Sequence, residues 1–218
     1  MFLPTFLIYY GWIPTAPVEK CQFDRVLSSM QCVVLGAGLA IPQHPNYVTA
    51  RGFIQSHPII HFYGYISVGM SLDQPRHNMQ EIVQSARQWY KLGAQGILLD
   101  CAGPDYGVTP FRLRSCVHAL HQEGLHVIVN AWNPHACLAV GLTPEDGYLE
   151  ENWTAHHRPK DYYYAKTLAQ QGIQIYAVID YTYHTQAFFV DAMWRGYSYA
   201  NYLAYTAHNA GCTPITPN

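Results

Sequence analysis

Charge is what this chain has least of: Asp, Glu, Lys and Arg make up 12% of its 218 residues, only four are lysine, and the formal net charge is −2. A surface so poor in cations is not built to grip a polyanion, so no nucleic-acid partner is expected. Half of the residues are hydrophobic, which excludes the composition of a disordered chain. Long apolar runs are missing too, each being broken by Gly, Pro or a charge before the roughly 20 residues that a membrane span needs. The opening MFLPTFLIYYGWIPTA lacks a basic leading segment and reads as a first strand, with no signal peptide. There is no CxxC pair. The six cysteines (Cys21, Cys32, Cys101, Cys116, Cys137, Cys212) are scattered through apparent strands and helices, the pattern of structural or free thiols.

What fills the space left by charge is aromatic: 18 Tyr, 5 Trp and 12 His. Such side chains stack on sugar or base faces and hydrogen-bond at their tips, although many will pack internally.

Short apolar and β-branched runs alternate with longer segments of helical period, the signature of βαβ units and a parallel sheet. Strands are expected from Phe6 (FLIYYGWI), Cys32 (CVVLGAGL), Ile59 (IIHFYGYISVG), Gly96 (GILLD), His126 (HVIVNAW), Gly147 (GYLEEN), Ile173 (IQIYAVIDY) and Asn201 (NYLAYTA). Eight is the number that closes a (β/α)8 TIM barrel. Asn78 can cap a helix that stops at Gly93, and Thr109-Pro110 opens another that stops at Gly124. DYYYAKTLAQQG ends at Gly172, and TQAFFVDAMWRGYSYA precedes the eighth strand. The expectation is an α/β single domain over residues 1–218, with a short or missing final helix, since barrels of this kind typically run to about 250 residues. An open doubly wound sheet is the alternative, but GAGLA at Gly36 lacks the third glycine of a dinucleotide turn.

In such barrels the active site forms where the strands end, and here those ends are polar. Strand three passes through Tyr65 and Ser67. Strand four ends at Asp100, with Asp105 and Tyr106 in the loop beyond it. Strand five ends Asn130-Ala131-Trp132, strand six Glu150-Glu151-Asn152-Trp153, and strand seven at Asp180. Two carboxylates over a rim of amides and aromatics are what glycosidic cleavage needs: one protonates the leaving oxygen, the other attacks or stabilises the anomeric centre. Asp100 and Glu151 are the candidate pair. Alternation favours Glu151 over Glu150 if Leu149 fills the interior. Tyr9, Tyr65, Tyr106, Trp132 and Trp153 are candidate stacking platforms, and Ser67, Asp105, Asn130, Asn152 and Asp180 candidate sugar-hydroxyl ligands.

YGYISVG from Tyr63, GILLDCAGPDYGVTPFR from Gly96, HVIVNAWNP from His126 and DGYLEENW from Asp146 occur in the order of the third to sixth strands. Over this middle half the chain resembles the spherulin-like and endo-α-1,4-polygalactosaminidase-like barrel glycosidases. The resemblance implies a TIM-barrel glycoside hydrolase, an extracellular setting, and a strand-four Asp and strand-six Glu as catalytic pair. By position these are Asp100, as nucleophile or charge stabiliser, and Glu151, as acid/base. The family often carries an acidic residue directly after the strand-four Asp, where this chain has Cys101.

The expected partner is a carbohydrate, an oligo- or polysaccharide that can contain amino sugars, and no cofactor is called for. His135, His156, His157, His184 and His208 follow strand ends and raise a metal-dependent hydrolase as a rival, but none has HxH or HExxH spacing, so no metal ligand is assigned. A further rival is a non-catalytic carbohydrate-binding or structural protein that keeps the barrel. Its low lysine content would suit a homo-oligomer or a larger assembly.

Overall fold

Alternation along each strand sorts the apolar residues into two layers, and this sorting organises the molecule. The computed structural model describes residues 5–28, 30–150, 159–179 and 199–202. Strands β1 (Thr5–Tyr9), β2 (Met30–Leu35), β3 (His61–Ser67), β4 (Gly96–Asp100), β5 (His126–Asn130), β6 (Gly147–Glu150), β7 (Gln174–Ile179) and β8 (Tyr199–Tyr202) form one sheet in chain order. Every neighbouring pair is parallel. The sheet curls so that β8 approaches β1, with no ladder between these two among the described residues.

Phe6, Ile8, Cys32, Val34, Tyr63, Leu98, Ile128, Leu149 and Tyr176 fill the inner layer, with Tyr10 and Tyr65 packed on it. Three tyrosines reach across the interior because glycines make room for them. A Cβ on Gly36 would stand 2.4 Å from Tyr10, on Gly96 2.3 Å from Tyr63, and on Gly147 2.5 Å from Tyr176. The outer layer, with Leu7, Tyr9, Val33, Leu35, Phe62, Ile66, Ile97, Leu99, Val127, Val129 and Tyr148 among its members, packs against the helices.

Helices α1 (Pro17–Leu27), α2 (Tyr47–Ser56), α3 (Met79–Leu92), α4 (Pro110–Gln122) and α5 (Pro159–Gln170) connect the strands. α3 starts on a full capping box: the Asn78 side chain accepts from Glu81 N at 3.0 Å, and Asn78 N donates to Glu81 Oε2 at 2.7 Å. It buries Ile82, Ala86, Trp89 and Leu92 along one face and stops at Gly93, whose φ of 117° suits a residue without a Cβ. α4 begins on Pro110, with Thr109 Oγ1 accepting from Arg112 N at 3.2 Å.

The eighth strand starts earlier than expected. Tyr199 and Ala200, taken from the sequence as the end of a helix, pair with Tyr176 and Ala177 of β7. The rest of that helix, and the place of a final one, lie outside the described residues. Among the described residues no helix is long and apolar enough to cross a membrane.

Candidate active site

Because all strands are parallel, their carboxyl ends share one rim, and the polar end of β4 lies there between β3 and β5. Asp100 pairs in register with Ser67 of β3. Its carboxylate is gripped from both neighbours: Tyr65 OH donates to Oδ2 at 2.7 Å, and Asn130 Nδ2 donates to Oδ1 at 2.7 Å. Both donors sit on the inner face, Tyr65 two residues beyond Tyr63 and Asn130 two beyond Ile128. Asn130 is buried. Two bonds of this kind fix the plane of the carboxylate and leave further lone pairs on each oxygen.

Burial holds the Tyr65 hydroxyl protonated far above its ordinary range, and the charge of Asp100 and the hydrogen bond to it push the same way. Tyr65 is therefore a donor to Asp100 at any physiological pH. Tyr10 packs edge-on against Tyr65, ring centroids 5.2 Å apart. Ser67 is buried beside this group, its hydroxyl donating to Gln74 Oε1 at 2.9 Å.

Directly after Asp100, Cys101 adopts a φ of 53°, which costs a residue with a side chain about 1–2 kcal/mol. Its thiol lies 3.5 Å from Asp100 Oδ2. The turn is held by main-chain bonds on both sides, Val68 N to Asp100 O at 3.0 Å and Ala102 N to Asn130 O at 2.9 Å. A small depression opens over the carboxylate, lined by Asp100, Cys101, Tyr106, Asn130, Ala131 and Trp132. Trp132 is exposed and Tyr106 half-buried, and Trp132 Nε1 donates to Tyr106 OH at 3.1 Å. Tyr106 O accepts from Met70 N and Ser71 N, tying the loops after β3 and β4 together.

The structure thus brings Asp100, Tyr65 and Asn130 together, with Ser67, Tyr106 and Trp132 around them. Asp105 stands exposed on a 3-10 turn and, being itself a carboxylate, offers Asp100 no donor. Tyr9 requires a correction. It belongs to the outer layer, its ring 4.7 Å from that of Phe23 and its hydroxyl donating to Trp12 O, so it is not a platform at the mouth. Its neighbour Tyr10 has the inward position, in step with Phe6 and Ile8. Leu149 is interior, the condition that favours Glu151, and Glu150 is a buried carboxylate on the same side of the strand as outer-layer Tyr148. Glu151, Asn152, Trp153 and Asp180 lie outside the described residues, as do His156, His157, His184 and His208.

Among the described residues no group of three or more His, Cys, Asp or Glu side chains is placed to hold a metal ion. His135 packs edge-on against Tyr164 at 4.8 Å. Among the described residues no disulfide joins the cysteines, and burial pushes the thiols of Cys32 and Cys137 far up.

No protein-family model matches the chain, and no curated protein sequence does. Solved structures do. The glycoside hydrolase domain of PelA from Pseudomonas aeruginosa superposes with a TM-score of 0.63 at 16% identity, over 94% of this chain and 97% of that one. The deoxyribose phosphate aldolase of Aeropyrum pernix, described as a tetramer, gives 0.55 at 14% identity over 90% and 83%. QR15, an aldolase, gives 0.56 at 9% over 94% and 91%. These likenesses show a fold of the TIM-barrel kind and, at such identities, nothing finer. The fold hosts many chemistries, and the site must distinguish them.

Proposed function

We propose that the chain forms one closed (β/α)8 barrel and hydrolyses glycosidic bonds in an oligo- or polysaccharide. The observation that carries this reading is the Asp100 carboxylate, oriented by Tyr65 and Asn130 at the strand ends in a depression that exposed Trp132 also lines. A sugar ring stacked on the indole would set its anomeric carbon over a fixed oxygen nucleophile. In this reading Asp100 attacks or stabilises the oxocarbenium-like centre, and Tyr65 and Asn130 keep its lone pairs aimed while charge shifts toward the sugar. Strand alternation carried on from Leu149 would turn Glu151 to the mouth and Glu150 to the other side, and this reading gives Glu151 the acid/base role that the family resemblance implies.

Aldol chemistry by a Schiff base fits this chain poorly. Such catalysis needs a lysine amine inside the barrel, and the four lysines here lie on α1 (Lys20), α3 (Lys91) and α5 (Lys160, Lys166).

The test is release of reducing ends from a panel of soluble glycans that includes galactosamine and glucosamine polymers. Asp100→Asn should lower turnover at least about 10³-fold, and Glu151→Gln likewise, with unchanged circular dichroism. Activity surviving both changes sinks the assignment. Binding of a glycan with no cleavage by the wild-type protein leaves a non-catalytic carbohydrate receptor.

A further inference from the structure

The exposed indole of Trp132 has a counterpart across the rim. Trp12 lies three residues beyond the end of β1 and is 55% exposed, against 42% for Trp132 on the loop after β5. β1 and β5 are four places apart in the order of eight strands, so in a curled sheet their loops stand on opposite sides of the mouth.

The loop that presents Trp12 is built with care for its backbone and not for its ring. Asn46, at the start of α2, is buried, and its side chain does not cap its own helix. It reaches instead to the β1 loop, where Oδ1 accepts from Ile13 N at 2.7 Å and Nδ2 donates to Ile13 O at 3.1 Å. This two-way amide pairing imitates a strand ladder and fixes the residue after Trp12. Tyr9 OH fixes Trp12 itself, donating to its carbonyl at 2.7 Å. Asn46 N donates to His44 Nδ1 at 3.1 Å, which holds the imidazole edge-on to the indole, ring centroids 5.0 Å apart. Trp12 is thus braced through its main chain and one ring edge while more than half of it faces water. The fold gains little from an indole left in that position, whereas a rigid exposed aromatic binds a ligand at small entropic cost. The electron-rich ring face attracts the polarised C–H groups of a pyranose.

We propose that Trp12, framed by His44, is a distal sugar-stacking platform, so that a glycan seated on Trp132 over Asp100 continues across the mouth to Trp12. The inference rests on the hydrolase reading above and specifies its substrate as a chain of several pyranose units, with short oligosaccharides failing to reach the second indole.

Affinity electrophoresis of the wild-type and Asp100→Asn proteins through gels containing partially N-acetylated chitosan, a galactosamine polymer, galactan or pullulan tests this. At least one polysaccharide should retard both proteins. Trp12→Ala should weaken that retardation roughly tenfold and Trp12→Phe should largely restore it, with the melting temperature unchanged. Equal retardation of wild type and Trp12→Ala overturns the platform and leaves the hydrolase reading standing, as does a loss that Phe does not repair. Retardation of no protein by any polysaccharide overturns both.

Discussion

Asn130, on β5, donates its side-chain amide to Asp100 Oδ1 across the strand boundary at 2.7 Å, while Tyr65 on β3 holds the other oxygen at the same distance. The carboxylate is therefore positioned by the sheet itself, through strands whose register is set by main-chain ladders. A hydrogen bond to a charged group contributes about 1.5–3 kcal/mol, so losing one that tightens in the transition state should cost roughly 10- to 150-fold in kcat. Asn130→Ala and Tyr65→Phe should each fall in that range, with KM nearly unchanged. A rise in KM at unchanged kcat would show that these residues bind sugar and do not orient Asp100.

Much of this arrangement is legible in the residues alone, and the reason differs from element to element. β4 is bounded by Gly93 and Gly96 and ends at its first polar residue, so both its limits and its functional end are visible. α3 is marked by its capping box and its apolar stripe. α1 and α2 are quieter: each buries only three residues, α1 Phe23, Val26 and Leu27, and α2 Ala50, Phe53 and Ile54. The exchange of Tyr9 for Tyr10 has a specific cause. β1 is apolar at every position from Phe6 to Tyr9 because it is buried on both faces, and such a strand carries no alternation from which to read its facing. The pairing of Asn46 with Ile13 joins residues 33 apart and leaves no local trace.

Gly64 on β3 is a packing position. A Cβ there would lie 2.2 Å from the Trp89 indole, which is buried in the outer layer. Gly64→Ala should destabilise the protein by about 1–3 kcal/mol through overpacking, seen as a lower denaturant midpoint at unchanged slope. Gly52→Ala is the contrast, because nothing lies within 4 Å of a Cβ at that helical position. It should leave stability unchanged or raise it by up to about 1 kcal/mol.

Asp146 closes the opposite end of the sheet. Buried to 1% exposure, it accepts from Val127 N at 2.7 Å through Oδ1 and from Thr143 N, Thr143 Oγ1 and His121 Nε2 through Oδ2. Asp146→Ala leaves the buried Val127 N–H without its acceptor and removes the shared partner of Thr143 and His121, and should cost about 1–3 kcal/mol. Since Asp146 precedes β6 at the end remote from Asp100, any variant that remains folded should keep wild-type kcat. Thermal melting and turnover measured on the same sample separate the two effects.

The buried thiols give stability a dependence on alkaline pH whose sign follows from linkage. Burial raises the folded-state pKa of Cys32 and Cys137, while in the unfolded chain each thiol titrates near ~8.5. Below that value both states hold the proton and the full stability is present. As pH rises above it, the unfolded chain releases protons that the folded protein retains, and each thiol should reduce stability by about 1.4 kcal/mol per pH unit until the folded pKa is reached. Urea midpoints measured from neutral to alkaline pH should fall accordingly, and Cys137→Ala should fall less steeply than wild type, after its own cavity cost is subtracted.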